Sequence, residues 1–229
     1  PFDDVRVRKA VNHAIDVDAI IKELLGGYAS KANSLLNSTA FGWNPAAKPY
    51  PYSPEIAKQL LAEAGFKNGL KTVVDVGPGT WPKHKEIAEA IVGYLQKVGI
   101  DAELRVREWA DFFDRYRGAK LEGIFVWGKF DSKLDADDAF HLNFASPDVK
   151  GRGLYWNSKE TDTLIMEGRS ILDTNKRKEI YYKVQQILHD QAVGVPLLEY
   201  HDVVAMRSGI EWTPRGDLHI RANTIKRSR

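Results

Sequence analysis

The sequence predicts an α/β fold: a mostly parallel central sheet flanked by helices. Three observations carry this expectation. Residues 70–127 alternate between short apolar runs of strand type and stretches with a helical apolar stripe. Strands joined in that way run parallel through right-handed crossovers and need helices on their faces. The helices are punctuated by start and stop signals, clearest at Ser53-Pro54 and Gly65. Finally, 229 residues with 43% hydrophobic and 28% charged side chains can bury a substantial core, as one large domain or two small ones.

Taken in order, residues 3–15 place Val5, Val7, Ala10, Val11, Ala14 and Ile15 mostly on one helical face, with Asp3 or Asp4 as the N-cap. A second helix runs from Val17 to about Leu25, capped by Asp16 and stopped by Gly26 and Gly27. Residues 28–52 have no period but hold three prolines and the aromatics Phe41, Trp43, Tyr50 and Tyr52, which predicts a long ordered or binding loop. After the helix that Ser53 caps, residues 70–76 read as a strand and 82–98 as a helix. Residues 100–106 read as a strand, 109–116 as a short helix and 124–127 as a central strand. Trp109, Phe112, Phe113 and Tyr116 share one helical face and are expected in the core. A helical turn at 138–144, helices at 161–172 and 175–190, and short strands at 193–198 and 201–206 complete the pattern.

Composition and motifs exclude several classes. With 33 basic and 31 acidic side chains the net charge is +2, so no global field recommends nucleic acid. The basic end at 225–229 lacks aromatic interleaving and is expected to fray. The absence of cysteine removes disulfides, thiolate nucleophiles and sulfur-ligated zinc. No apolar run reaches the roughly 18 residues of a membrane span and no signal peptide is visible; beginning at Pro1, the chain is expected to be a processed product or a fragment. No dinucleotide, P-loop, zinc-peptidase or nucleophile-elbow motif occurs. His141, three and four residues after Asp138 and Asp137, is the candidate point for a metal ligand; no metal and no cofactor is assigned.

The chemistry gathers in Glu122–Phe140, EGIFVWGKFDSKLDADDAF. Asp131, Asp135, Asp137 and Asp138 lie just past the carboxyl end of the 124–127 strand, where open α/β sheets bind ligands. They are either solvated loop acids, with one N-cap among them, or a site. Trp127, Phe41 and Trp43 either line a pocket or join the core. Asp131 in a partly dehydrated cleft needs a cation, from a ligand ammonium or from Lys129. The alternative is a small glycoside or metal-dependent hydrolase that uses Asp131 and Asp135 as its paired acids.

Several stretches together resemble the family 5 extracellular solute-binding proteins, the peptide- and nickel-binding components of ABC importers. They are PFDDVRVRKAVNHAIDVDAIIKELLGGYA, PYSPEIAKQLLAEAG, AEAIVGYLQKVGIDAEL, NSKETDTLI and NKRKEIYYKVQQILHDQAVGVPLLEY. The resemblance implies a periplasmic-binding-protein-like lobe, the C-terminal one, over residues 1–212, with 213–229 as a tail returning to an N-terminal lobe outside this sequence. It implies no catalysis, but capture of a small-molecule or peptide ligand by hinge closure and delivery to a membrane permease. The location would be periplasmic or extracellular, with or without a lipid anchor. Peptide binders of the family carry W-x-x-D, whose Asp pairs with the ligand ammonium, then D-P-x-x-x-F. Trp127 and Asp131 correspond with one extra residue between them, and Asp135, Ala136 and Phe140 correspond without the proline. Peptides, sugars, opines and metal chelates all remain open as ligands.

Overall fold

The computed structural model describes residues 1–128, 133–215 and 219–227. Each helix begins where a short polar side chain can satisfy its first free N–H groups. Asp4 accepts from Arg6 N to open α1 (Val5–Ala14), and Asp16 accepts from Ala19 N to open α2 (Val17–Leu25). α2 stops at Gly26, whose φ of 57° is left-handed. Ser53 caps α3 (Pro54–Glu63), with proline in its first turn. α1, α2, α3 and a fourth helix at residues 84–97 contribute Val7, Val11, Ile20, Leu61, Ile91 and Leu95 to the first of two apolar cores.

One face of a parallel three-stranded sheet closes that core. β2 (Leu70–Val76) lies in the middle, paired with β3 (Ile100–Val106) from Leu70↔Ile100 to Val76↔Val106 and with β4 (Ile124–Val126) from Val74↔Ile124 to Val76↔Val126. α4 (His84–Lys97) connects β2 to β3 and α5 (Trp109–Arg117) connects β3 to β4. Val74 and Val76 are completely buried on the α4 side. Two expectations are corrected here. The 124–127 strand is an edge strand, not the central one, and its apolar run reflects cover from α5 on one side and the core on the other. The α5 face is only partly core, because Phe112 is buried while Trp109, Phe113 and Tyr116 are half-buried.

The second core joins the 33–44 loop to α6 (Ala136–Asn143), α7 (Lys159–Ser170) and α8 (Thr174–Asp190) around Leu36, Phe140, Ile165, Tyr181 and Leu188. α6 is a full helix rather than a turn, since Asp135 supplies the cap. α7 ends two residues earlier than the apolar pattern suggests, leaving Leu172 97% exposed, because Asp173 must open α8. β1 (Ala29–Lys31) pairs antiparallel with β5 (Leu198–Tyr200). No strand forms at 201–206, where Val203 is 74% exposed; an apolar run without a partner strand has no ladder to join. β6 (Ile210–Glu211) pairs with β7 (Lys226–Arg227), and Trp212 Nε1 donates to Thr224 Oγ1 at 3.1 Å, so part of the expected tail folds back onto residues 210–212. Among the described residues no helix is long and apolar enough to cross a membrane.

Candidate functional site

Gly77 follows β2 directly and Gly128 follows β4 after Trp127, and at both positions a ring crowds the place a Cβ would take. A Cβ on Gly77 would stand 2.8 Å from the Phe112 ring, and one on Gly128 would stand 1.9 Å from Trp81 Nε1. The carboxyl end of the sheet is thus closed by aromatics packed directly on backbone. Trp127 belongs to this closure. Its ring stacks on Tyr116 at 4.4 Å and on Trp109, Phe112 and Phe113 at 5.8 to 6.1 Å, which builds it into the aromatic face of α5. The Trp127 indole N–H is buried without a hydrogen-bond partner.

On the α4 side, Trp81 stacks on Tyr200 at 5.9 Å, and the Tyr200 hydroxyl donates to Pro82 O at 2.8 Å. Burial pushes the Tyr200 hydroxyl up to about 12. His84 is 4% exposed; the backbone of Val126 and Gly77 lies beside its ring, yet neither nitrogen makes a well-formed hydrogen bond. Burial holds its pKa below the ordinary imidazole value, with the neighbouring backbone opposing that shift. The Trp81 indole N–H is also buried and unpaired. Across the sheet, Asp75 on β2 is 1% exposed, accepts from Arg107 Nε at 2.6 Å through Oδ1 and leaves Oδ2 unpaired. Buried polar atoms are normally satisfied, so these unsatisfied ones set apart the carboxyl end of the strands, the end at which open α/β sheets in general bind ligands.

The acidic stretch resolves into separate ion pairs. Asp135 caps α6 by accepting from Asp137 N at 2.8 Å, and Arg177 donates to both of its oxygens at 2.8 and 2.9 Å. Lys133 lies 2.6 Å from Asp138, and Arg169 lies 3.4 Å from Asp137 Oδ1 without hydrogen-bond geometry. Asp135 therefore has neither the apolar surroundings nor the free oxygen that a hydrolytic acid needs. Lys129 and Asp131 lie outside the described residues. His141 Nε2 stands 3.4 Å from Val149 O, and no group of three His, Cys, Asp or Glu able to hold a metal occurs among the described residues.

Phe41 and Asp135 are brought together. Phe41 N donates to Leu134 O at 2.8 Å and Ala136 N to Phe41 O at 2.9 Å, a one-residue parallel bridge. Trp43 packs against the second core and donates through Nε1 to Asn33 Oδ1 at 2.7 Å. Beside it a groove of about 380 Å³ is lined by Asn33, Asn44, Lys48, Tyr50, Gln185 and His189. Several of its polar groups are bonded internally: Asn33 to the carbonyls of Asn44 and Ala47, and Gln185 to Gly42 O and Tyr181 O. Sequence reasoning did not single out Trp81, Tyr200 or Arg177. Trp81 follows Gly77 and Gly79 after a strand, which is a usable signal; Arg177 is 42 positions from Asp135 and carries none.

Residues 1–151 match the family described as bacterial extracellular solute-binding proteins, family 5 middle. The chain is 34% identical over 207 residues to heme-binding protein A of Haemophilus influenzae and 33% identical over 197 residues to the dipeptide-binding protein of Escherichia coli. Those alignments take in 86% and 84% of this chain and 37% of each relative, so the chain spans well under half their length. Among solved structures, HbpA2 from Haemophilus parasuis superposes with a TM-score of 0.90 at 25% identity, over 99% of this chain and 46% of that one. The periplasmic binding protein DppA from Helicobacter pylori, in complex with the peptide STSA, superposes at 0.83 and 28% identity, over 100% of this chain and 45% of that one. The α/β architecture is that of periplasmic binding proteins, and the chain belongs to the family 5 bacterial extracellular solute-binding proteins.

Proposed function

We propose that the chain is one lobe, the C-terminal one, of the substrate-binding component of an ABC importer. It captures an oligopeptide-type solute by hinge closure in a periplasmic or extracellular setting and passes it to a membrane permease. No reaction is catalysed, and no cofactor or nucleic acid takes part. The observation that carries this reading is the carboxyl end of β2 and β4, where unpaired buried N–H groups and aromatic walls gather at Trp127 and Gly128, directly before Lys129 and Asp131 in the sequence. Similarity to a dipeptide-binding protein and to a structure holding the peptide STSA supports the peptide class. Asp131 would take the solute ammonium in a charge-assisted hydrogen bond, with Lys129 as the competing partner. Trp127 fixes the strand end that carries them. Phe41 and Asp135 hold the far end of the same connection, while Trp43 flanks the neighbouring groove. A second lobe would supply the opposite wall.

Isothermal titration of the chain with di- and tetrapeptides, their N-acetylated forms and hemin tests this reading. It expects binding of free-amine peptides, weakened at least tenfold by N-acetylation or by Asp131→Asn. Hemin binding without peptide binding, or equal affinity for acetylated peptides, would overturn it.

A further inference from the structure

The groove beside Trp43 shares no residue with the carboxyl end of the sheet. It measures about 380 Å³, at the small end of ligand sites, and its walls come from the 33–50 loop, the end of α8 and the chain at 194–196.

Those walls are held from within. Asn33 Nδ2 donates to Asn44 O and to Ala47 O, both at 3.2 Å, while its Oδ1 accepts from Trp43 Nε1 at 2.7 Å. Gln185 on α8 accepts from Asn44 N at 3.1 Å and donates to Gly42 O at 2.8 Å. The Tyr50 hydroxyl donates to His189 O at 2.8 Å, and its ring stacks on His189 at 4.5 Å and meets His13 edge-on at 5.1 Å. Leu35 closes on Gly194, where a Cβ would stand 3.1 Å from Leu35 Cδ2. A groove shaped before anything enters it loses little ordering entropy on binding.

The polar groups left over are donors. Asn44 Oδ1 accepts from Ala46 N at 3.0 Å, which fixes the amide and leaves Nδ2 without a partner among the described residues. Lys48 is exposed and likewise has none among them. Among the described residues no Asp or Glu lines the groove; Asp190, next to it in sequence, accepts from Gln186 Nε2 at 2.8 Å and lies 3.1 Å from His189 Nδ1. Leu35, Ala46, Ala47, Leu188 and Pro196 make the remaining lining largely apolar.

We propose that this groove is a ligand site separate from the strand end, taking a small organic carboxylate with an apolar body. Lys48 Nζ and Asn44 Nδ2 hold the carboxylate, and the apolar lining covers the body. A carboxylate accepts hydrogen bonds on both oxygens, so an ammonium and an amide N–H can serve it together, and the cation makes its bond charge-assisted. The site requires neither the strand end nor the solute proposed above.

Titration of the ¹⁵N-labelled chain with benzoate tests the site, followed on the Asn33, Asn44 and Gln185 side-chain amides and the Trp43 indole. Acetate, which lacks the apolar body, and benzamide, which lacks the charge, are the comparison ligands. Lys48→Met removes the cation, and Lys120→Met, at an exposed position beyond α5, controls for net charge. Benzoate should give saturable shifts of these groups, with acetate and benzamide each at least fivefold weaker. Lys48→Met should weaken benzoate at least fivefold and Lys120→Met less than twofold, while the Gly77 and Gly128 amides stay unmoved. No saturable shift up to about 50 mM benzoate, acetate or benzamide binding as tightly as benzoate, or equal losses in the two lysine variants would overturn the proposal.

Discussion

Replacing Arg107 with methionine leaves a buried carboxylate without its cation. Asp75 is 1% exposed on the central strand; its Oδ1 accepts from Arg107 Nε at 2.6 Å, and its Oδ2 has no partner to fall back on. At that separation and an effective dielectric of about 20, the Coulomb attraction is about 6 kcal/mol, and desolvation of the two ions offsets part of it. Breaking such a pair by removing one partner costs about 3–5 kcal/mol, because the remaining charge stays buried. The Arg107–Asp111 pair at 3.4 Å is lost as well, but its partner is largely solvated and it adds at most about 1 kcal/mol. Urea unfolding at pH 7.5 should give a deficit of about 3–5 kcal/mol, or roughly 10 °C in Tm for a chain of this size. Asp75→Asn combined with Arg107→Met removes the stranded charge and should restore at least half of that. A single-variant loss below about 1 kcal/mol, or a double variant as unstable as the single, would refute the reasoning.

Three further outcomes follow from the packing. Gly128→Ala places a methyl group 1.9 Å from Trp81 Nε1, so the indole must leave its stack on Tyr200; a loss of about 1–3 kcal/mol and a shifted tryptophan emission are expected, and an unchanged spectrum would contradict the contact. Gly168→Ala should destabilise by chemical denaturation even though alanine is favoured in helices by about 1 kcal/mol, because the new Cβ lies 2.7 Å from the Tyr181 ring; a stabilised variant would show that α7 and α8 can separate freely. His84 is held below its unfolded pKa by burial, so the chain binds more protons unfolded than folded. Its contribution is intact above about pH 6.5 and is lost as pH falls below that value, so stability should drop more steeply from pH 7.5 to 5 than in His84→Gln; equal slopes would rule this out.

The parts of the fold legible in the sequence are those decided by local chemistry. The caps Asp4, Asp16 and Ser53 and the stop at Gly26 open and close helices where short-range hydrogen bonding dictates, and β2 and β3 begin and end where their apolar runs do. β1 was not legible because Ala29, Ser30 and Lys31 form a strand only by pairing with β5, about 170 positions away. Residues 201–206 show the converse, an apolar pattern that finds no partner. The acidic stretch was visible as a concentration of charge, but its meaning depends on cations brought in from α7 and α8, which spacing cannot report. In the sequence Trp127 fits pocket and core alike, because a strand-end tryptophan satisfies either pattern; only the arrangement of α5 over it places the ring.

The central claim is that solute meets this lobe at the carboxyl end of β2 and β4. Titrating the ¹⁵N-labelled chain with free-amine dipeptides while following the indole resonances of its six tryptophans tests it most directly. Trp81 and Trp127 Nε1–H, buried and unpaired among the described residues, should shift together with the Gly77 and Gly128 amides, while Trp156 and Trp212 do not move. Saturable shifts confined to the Trp43 groove or to α7 and α8, with the strand ends unmoved, would contradict it.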